Sequence, residues 1–266
     1  MKQLKVFLLG GTKESIEIIK LLKEDFNSYV LTTATTEYGA KLAREGGSDD
    51  TTSKPLLKHE IIEILENSDF DIIIDATHPF ATHITQTAIE VGKICEIPYI
   101  RFERPTLNLS EIDVSNLYPV KSFEDAGKLI EKKFNQLNVL HFAGANTMED
   151  IVKYVSVDKF FPRILEVESS FKKCEKLKIP KNHIIPMKGT STIQENIDLI
   201  EKLNGGVIIT KDSGEIGGVD AKIKAANEKN IPIIMIERPQ IEQLKKENIV
   251  TNFKQLKRKL HAETGI

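Results

Sequence analysis

The sequence lacks the features that would direct a protein to nucleic acid or to a membrane. The formal net charge is only −2 over 266 residues, so no overall positive field attracts either kind of anionic partner. No apolar run approaches the roughly 20 residues that span a bilayer. The apolar stretch at 6–9 is too short for a signal peptide and has the character of a buried strand. We therefore expect a cytoplasmic protein that binds neither nucleic acid nor membrane.

Cysteine is also scarce. Cys95 and Cys174 are the only two, they lie far apart, and neither belongs to a Cys-x-x-Cys motif. This pattern predicts neither a disulfide framework nor a zinc site, and we expect no metal. The remaining composition, 40% hydrophobic and 29% charged, is that of an ordinary globular protein with room for one large domain or two small ones.

Short continuous apolar runs, rich in Ile, Val and Phe, alternate with amphipathic stretches. The runs are 6–9, 29–33, 71–74, 99–102, 139–142, 160–165, 183–187, 207–210 and 233–236. Helical patterns occupy 15–23, 56–66, 84–95, 123–133, 147–155, 193–203 and 220–229, and Thr192 with Glu195 fits a capping box. Continuous apolar runs are typical of strands covered on both faces. The alternation therefore predicts an α/β fold with doubly wound parallel sheets.

Three segments of the first half recur in the second half, in the same order and between 133 and 135 residues later. Residues 97–105, IPYIRFERP, match residues 231–239, IPIIMIERP, at six of nine positions. Residues 6–15 resemble 139–150, and residues 71–79 resemble 206–214. Although Ile- and Val-rich strands resemble each other in general, the constant spacing favours two Rossmann-like domains related by an internal duplication. We place these domains at 1–120 and 121–266, with 106–120 as a polar connection.

The carboxyl ends of the first two runs carry residues suited to a dinucleotide. Ligands of open α/β sheets bind at the carboxyl ends of the strands. Gly10, Gly11 and Thr12 follow the first run and open a helix, where backbone N–H groups can hold a phosphate, although a tight turn would use the same glycines. Thr33 and Thr35 end the second run, where an NAD-specific site would place an acidic residue. This favours NADPH and leaves NADH open.

The segment after run 71–74 is a candidate for catalysis. It reads Asp75-Ala76-Thr77-His78-Pro79 and contains a histidine at the carboxyl end of a strand, beside an acidic residue. Such a histidine can donate a proton. The structural alternative is that Thr77 or His78 caps the following helix.

The corresponding segment of the second half is rich in charge and glycine. The residues concerned are Lys211, Asp212, Ser213, Gly217, Gly218 and Lys222. A buried strand that ends in such residues suits close backbone contact with an anionic ligand. The alternative is that Lys211 and Asp212 form a surface ion pair.

Both repeated tails end in Glu-Arg-Pro. Arg101 and Arg104 of the first tail could bind carboxylates with two parallel hydrogen bonds. The alternative is that Glu-Arg-Pro only terminates a strand, since proline cannot continue a ladder.

The motifs GGTKES, ATTEYG, DATHPFATHI, IPYIRFERP, MKGTSTIQEN, TKDSGEIGG and IPIIMIERP occur here in the order found in precorrin-6A reductases. The sequence, over about residues 5–240, resembles this family, which includes the cobalt-precorrin-6A reductases of cobalamin biosynthesis. The resemblance implies two Rossmann-like domains with strand exchange and a shared cleft for NADPH and an anionic tetrapyrrole. It also implies hydride transfer to one macrocycle double bond and proton addition beside it, which gives precorrin-6B or its cobalt form.

The resemblance also assigns roles to residues. Gly10, Gly11 and Thr12 would face the dinucleotide. The cleft would be lined by Asp75, Thr77, His78, Lys211, Asp212, Ser213, Gly217 and Gly218. The cations available for substrate carboxylates are Arg101, Arg104, Lys188, Lys211 and Lys222. His78 or Asp212 would be the proton donor.

The sequence differs from the family pattern in two segments, and other functions stand as alternatives. The segment 34–39, ATTEYG, lacks the arginine that aerobic-type relatives use for the 2′-phosphate, and 188–191 reads KGTS where many relatives have QGPFS. Other interpretations are a smaller-metabolite reductase of the dihydrodipicolinate reductase type and a non-catalytic nucleotide- or corrinoid-binding module. Short-chain dehydrogenase chemistry is disfavoured because no Tyr-x-x-x-Lys occurs.

Overall fold

A computed structural model describes residues 3–214 and 217–265 of the chain. It divides into two compact units, the first formed by Met1–Pro105 with Gln240–Ile266 and the second by Thr106–Pro239. The expected domains were 1–120 and 121–266. The observed units instead divide the chain at two places, after residue 105 and after residue 239. The first unit ends before the connection, and the segment after Pro239 returns to the first unit.

The first unit contains six strands and five helices among the described residues. In chain order these are β1 (Lys5–Leu9), α1 (Lys13–Phe26), β2 (Tyr29–Thr33), α2 (Glu37–Glu45), β3 (Asp50–Thr52), α3 (Lys58–Glu66), β4 (Ile72–Asp75), α4 (Thr82–Ile94) and β5 (Tyr99–Phe102), and later β12 (Ile249–Val250) and α10 (Phe253–Thr264). All strands are parallel, in the order β12-β5-β4-β1-β2-β3.

The second unit repeats this strand order with six strands and five helices. Its elements are β6 (Leu117–Val120), α5 (Phe123–Lys133), β7 (Asn138–His141), α6 (Met148–Ile151), β8 (Phe160–Ile164), α7 (Glu168–Lys176), β9 (Ile185–Pro186), α8 (Ile193–Lys202), β10 (Gly205–Lys211), α9 (Val219–Glu228) and β11 (Ile233–Ile236). The parallel sheet has the order β6-β11-β10-β7-β8-β9. The predicted doubly wound α/β class is confirmed, and the internal duplication stays a prediction.

The central strands are buried on both faces, which explains their continuous apolar sequences. Ile72, Ile73 and Ile74 of β4 are fully buried, and alternate side chains of this strand belong to two different hydrophobic clusters. One cluster contains residues of α1 and α10, and the other contains residues of α3 and α4. Because helices cover each face, no position in the strand can be polar without a partner.

One edge strand of each sheet comes from the chain segment that directly follows the strands of the other sheet. β6 follows β5 in the chain but pairs with β11, and β12 follows β11 but pairs with β5. This is the strand exchange expected from the resemblance. The segment 106–120, expected to be an irregular connection, therefore contains an edge strand. Pro119 fits that position because an edge strand has one side without a partner.

Most of the predicted helices and strands overlap observed ones. The start of α8 shows how a local sequence signal fixes a boundary. Thr192 accepts a hydrogen bond from the Glu195 N–H, and the Glu195 side chain accepts one from the Thr192 N–H, so the predicted capping box is confirmed. Within the described residues, no helix has the length and apolarity needed to cross a membrane.

Candidate functional site

In the first unit, the three residues after β1 have different surroundings. A Cβ atom on Gly10 would lie 2.8 Å from Cγ2 of Thr32, so this glycine is needed for close packing against β2. The hydroxyl of Thr12 accepts from the Ser15 N–H, which caps α1, and donates to the carbonyl of Ala76 at 2.8 Å. Gly11 has a φ of +96°, and within the part of the chain that the structure describes no atom beyond its chain neighbours lies within 4 Å of its Cβ position. Gly11 is therefore the residue of the three with open space in front of the N-terminus of α1.

The end of β2 offers hydroxyl groups and an arginine that is already paired. Thr33 is buried at the end of the strand, whereas Thr35 is exposed. Arg44 of α2 forms an ion pair with Glu37 and donates to the hydroxyl of Thr51. Hydrogen bonding to Arg44, with a smaller contribution from its charge, lowers the pKa of Glu37. Both partners of this pair are exposed, so it can rearrange at little cost.

Asp75, at the end of β4, is fully buried and accepts five hydrogen bonds. Oδ1 receives the N–H and hydroxyl of Thr77, at 2.9 and 2.7 Å, and a guanidinium N–H of Arg101 at 2.7 Å. Oδ2 receives the hydroxyls of Thr85 at 2.7 Å and Tyr99 at 2.9 Å. The side chain of Arg101 is only 3% exposed. The charge of Asp75 is thus neutralised inside the unit, which favours a supporting role for these residues over the expected direct contact with substrate.

Arg104 is paired in a similar way. Its Nε lies 2.9 Å from Oε1 of Glu14 and its NH2 donates to Oε2 at 3.0 Å, and both side chains are nearly buried. Glu14 lies in the first turn of α1, where a negative charge is favoured by the helix dipole. Arg104 therefore ties the end of β5 to α1, a contact that the sequence pattern did not predict.

His78 follows Asp75 by three residues and is partly exposed. The N–H of Phe80 donates to Nδ1 of the ring at 3.2 Å. An accepting Nδ1 carries no proton, so the neutral imidazole holds its proton on Nε2. To donate a proton, His78 must first become an imidazolium by taking up a second proton on Nδ1, which gives up the hydrogen bond from Phe80.

In the second unit, Asp212 is paired with Arg238. Its Oδ2 lies 3.4 Å from Nε of Arg238, which also donates to the Asp212 carbonyl at 3.2 Å. The N–H of Gly214 donates to Oδ1 at 3.2 Å. The side chain of Asp212 is therefore held by contacts within the second unit.

The glycines that precede α9 allow close packing of this loop. A Cβ atom on Gly217 would overlap the side chain of Ser213, which is buried. Gly218 is the N-cap of α9 with a φ of +68°, and its Cβ position lies 3.2 Å from Cβ of Thr190. Glu215, between these groups in the sequence, lies outside the described residues.

Lys222 is a buried cation in the first turn of α9. It is 4% exposed, and its Nζ donates to the hydroxyl of Thr210 and to the carbonyl of Gly217, both at 3.2 Å. Burial, together with the positive charges of Arg163 and Lys211, lowers the pKa of Lys222 to about 7. Burial also lowers the pKa of Lys211 to about 8.

The predicted cation Lys188 has a different environment. Its side chain is 79% exposed and lies 3.5 Å from Glu166, whose side chain is also exposed. An ion pair of this kind contributes little to stability and leaves the lysine able to move. Lys188 is therefore the most exposed of the predicted substrate-binding cations.

Two titratable residues, the half-buried Arg163 and the buried His141, were missed because they lie inside apolar runs. Arg163 of β8 donates to the hydroxyl of Ser191 and lies over the ring of Phe142, at 4.3 Å from its centre. Burial lowers the pKa of Arg163 to about 10. His141 of β7 is fully buried, with Nε2 3.0 Å from the hydroxyl of Thr147, and burial lowers its pKa to about 3. A charged or ionisable residue within a continuous apolar strand is the signal that could have identified both.

The two units thus present different chemistry at the carboxyl ends of their strands. In the first, buried charges neutralise each other, an open glycine follows β1, and a partly exposed histidine follows β4. In the second, the half-buried Arg163 and the buried Lys222 have neutral hydrogen-bond partners among the described residues. The first arrangement suits a dinucleotide and a proton transfer, and the second suits an anionic ligand.

Comparison with known proteins gives a match over nearly the whole chain. A family model described as "Precorrin-6x reductase CbiJ/CobK" matches residues 5–261. A cobalt-precorrin-6A reductase of Methanocaldococcus jannaschii is 42% identical over 238 residues, which is 89% of this chain and 91% of that protein. A cobalt-precorrin-6A reductase of Methanothermobacter thermautotrophicus is 34% identical over 90% of this chain and 78% of that protein.

A solved structure described as "CobK precorrin-6A reductase" has a similar fold. It superimposes with a TM-score of 0.74 and 18% identity, and the match covers 98% of this chain and 97% of that chain. At this level of identity the likeness supports the fold alone, and the sequence relatives support the family.

Proposed function

Because the chain belongs to the precorrin-6x reductase family, we propose that it reduces cobalt-precorrin-6A, or metal-free precorrin-6A, with a hydride from NAD(P)H. The observation that carries the proposal is the match of the family model over residues 5–261, joined by relatives of the same description at 42% and 34% identity. The cobalt form is favoured because these relatives are described as cobalt-precorrin-6A reductases.

The residues of the first unit fit a nicotinamide dinucleotide. The open face of Gly11 and the N-terminus of α1 suit a pyrophosphate, whereas Gly10 and Thr12 support the turn through internal contacts. The exposed hydroxyl of Thr35 suits a ribose or its 2′-phosphate. Arg44 forms an exposed ion pair with Glu37 and could bind that phosphate in place of Glu37. NADPH remains the preferred cofactor in this proposal. When bound, it supplies the hydride.

The residues of the second unit fit the substrate. Precorrin-6A carries several acetate and propionate side chains, which require cations in a chain whose net charge is −2. Lys211 and Lys222, which were predicted, and Arg163, which was not, supply buried or partly buried positive charge. Lys188 supplies an exposed positive charge that can follow a flexible propionate.

His78 is the proposed proton donor. Reduction of a macrocycle double bond adds a hydride to one carbon and requires a proton at the neighbouring carbon. His78 would donate from its imidazolium form, which gives up the hydrogen bond from the Phe80 N–H, and would return to the neutral imidazole when the Nε2 proton passes to the macrocycle carbon. The ion pair between Asp212 and Arg238 makes Asp212 the weaker candidate.

The decisive experiment is anaerobic incubation of the protein with cobalt-precorrin-6A and NADPH or NADH, followed at the nicotinamide absorbance. We expect oxidation of the nicotinamide, faster with NADPH, and a product with two more hydrogens. Absence of oxidation with both cofactors and with both forms of the substrate would refute the proposal. Binding without turnover would instead favour the non-catalytic module.

The variant His78→Gln tests the proton donor. Loss of a general acid typically lowers kcat by about 10²–10⁴-fold, and we expect KM for both substrates to change by less than a few-fold. His83→Gln is the matched control, because His83 is an exposed residue of the same sequence motif. A His78→Gln enzyme with the kcat of the His83→Gln enzyme would contradict the assignment.

A further inference from the structure

Lys222 has an environment that is costly for a charged lysine. It lies on the buried face of α9, together with Val219, Ile223 and Ala226. Within the described residues, the hydrogen-bond partners of its Nζ are the hydroxyl of Thr210 and a backbone carbonyl, and both are neutral. Hydrogen bonds to neutral groups do not compensate for the removal of an ammonium group from water. Some further group is therefore needed when Lys222 is charged.

In the first unit, a buried cation at the carboxyl end of the sheet has a carboxylate partner. Across β4 and β5, Asp75 lies in register with Arg101, and the two form a buried ion pair. Across β10 and β11, the strands with the same places in the second sheet, Thr210 lies in register with Met235. The second unit therefore has no carboxylate at the place where the first unit has Asp75.

The charged groups around Lys222 add to the positive charge rather than balance it. Lys211, the next residue after Thr210 in β10, and Arg163, from β8, both lower the pKa of Lys222. Asp212 of the same loop is paired with Arg238. Among residues 3–214 and 217–265, no carboxylate is hydrogen-bonded to Nζ of Lys222.

Two acidic side chains in the first turns of the neighbouring helices α8 and α9 have other partners. Glu195 of α8 accepts hydrogen bonds from the N–H and hydroxyl of Thr192, and its pKa is lowered mainly by these bonds and only slightly by Arg163. Asp220 of α9 forms an exposed ion pair with Lys224. The structure therefore leaves a place for a negative charge that the described residues do not fill.

We propose that the second unit contains an oxyanion-binding site centred on Lys222 and Arg163. Two glycines that follow the strands on either side of β8, Gly144 after β7 and Gly189 after β9, have φ values of +90° and +79°. Among the described residues, no atom beyond their chain neighbours lies within 4 Å of their Cβ positions. This open space beside β7 and β9 is compatible with close approach of a ligand to the backbone.

The ligand is a carboxylate or a phosphate, since both are oxyanions that a lysine and an arginine bind. A carboxylate would come from the tetrapyrrole, which rests on the proposed function, and a phosphate would come from the dinucleotide. The site itself is independent of that choice. Its occupation would replace the missing internal counter-ion.

Linkage gives the sign of the pH dependence. Without an anion, the pKa of Lys222 is about 7, so at pH 8 about nine-tenths of the protein holds it as a neutral amine. A bound anion favours the ammonium form and raises the pKa, so binding at pH 8 takes up a proton. At pH 6 the lysine is already charged and little uptake occurs. Affinity therefore falls, by up to about tenfold per pH unit, as the pH rises above 7.

Isothermal titration calorimetry at pH 8 in two buffers with different enthalpies of ionisation measures this uptake. The probes are uroporphyrin, a stable tetrapyrrole polycarboxylate, and NADPH. We expect wild-type protein to take up close to one proton with one of them, and Lys222→Met to take up much less and bind about tenfold or more weakly. Lys224→Met is the matched control, because Lys224 is an exposed lysine of the same helix. Circular dichroism checks that each variant is folded.

Each outcome decides the matter. Uptake with uroporphyrin alone supports a carboxylate site, and uptake with NADPH alone supports a phosphate site. If wild-type protein takes up no proton with either probe, or if Lys222→Met takes up as many as wild type, the proposal is wrong. The variant Glu215→Gln is a further control, since Glu215 lies outside the described residues. If Glu215→Gln tightens anion binding tenfold or more, the loop itself supplies the counter-ion, which also overturns the proposal.

Failure of this site and failure of the proposed function give different results. If the wild-type protein takes up a proton on binding but never oxidises NADPH with cobalt-precorrin-6A, the oxyanion site is supported and the proposed reaction is refuted. If the wild type takes up no proton and the Lys222→Met enzyme has unchanged kcat and KM, the proposed reaction is supported and the site is refuted.

Discussion

Replacing Arg101 by methionine should destabilise the first unit strongly, because it leaves Asp75 as a buried carboxylate without its cation. Methionine is the residue that the second unit has at the equivalent register position, Met235. Removal of one partner of a buried ion pair costs about 3–5 kcal/mol. Asp75 keeps four of its five donors, from Thr77, Thr85 and Tyr99, so we expect a value near the lower limit, about 3 kcal/mol.

Hydrogen exchange of the backbone amides of β4, followed by mass spectrometry, measures this change within the first unit. A loss of about 3 kcal/mol corresponds to exchange that is roughly 150-fold faster. The matched control is Arg44→Met, which breaks an exposed ion pair with Glu37 and should cost less than about 1 kcal/mol. If Arg101→Met accelerates exchange no more than Arg44→Met does, the reasoning about the buried pair is refuted.

The double variant Asp75→Thr with Arg101→Met tests the same reasoning from the other side. It removes both charges and gives the first unit the Thr and Met pair of the second unit. Replacement of a whole buried ion pair is often close to neutral, so the double variant should exchange more slowly than Arg101→Met alone. If the double variant folds and its KM for the tetrapyrrole nevertheless rises more than tenfold, Arg101 contacts substrate, as the sequence alone suggested.

Two further predictions concern the second unit. His141 has a pKa of about 3 because it is buried, so between pH 3 and 6.5 the unfolded chain binds the additional proton and stability should fall with decreasing pH, by up to about 1.4 kcal/mol per pH unit. Urea denaturation at pH 7 and pH 4.5 should show a smaller loss for His141→Gln than for wild type, and equal losses would contradict this origin. Thr192→Ala should cost about 1 kcal/mol by removing the cap of α8, measurable as faster exchange of its first-turn amides, while Thr251→Ala should leave that exchange unchanged.

The sequence predicted the central strands, whose side chains are apolar over their whole length, but it did not predict the helices α2, α7 and α10. The strands buried on both faces were recognised by continuous apolar runs, and α5 was predicted with its observed ends. The strands β3, β6 and β12 were missed because they have only two to four residues and lie near or at sheet edges, where part of the surface can be polar. Whether an edge strand joins its own sheet or another one is decided by distant contacts, which no local pattern records.

Many of the predicted site residues follow the carboxyl ends of strands in the structure, and their roles stay predictions. The residues at the carboxyl ends of the strands were identified, since topology alone places ligands there. Their pairing was not, because the partners Asp75 with Arg101 and Glu14 with Arg104 are 26 and 90 residues apart. Arg163 was overlooked since its neighbours Phe161 and Ile164 made the segment resemble an ordinary strand.

The exchange of edge strands has a consequence for the order in which the protein can mature on the ribosome. The second unit is continuous in the chain, from Thr106 to Pro239, so all of its strands have emerged once that segment is made. The first unit is begun earlier, but its core includes Val250, Leu256 and Leu260, which are translated after the second unit. The part synthesised first is therefore the part completed last, and until then it exposes the edge of β5 and an uncovered apolar surface to chaperones and to aggregation.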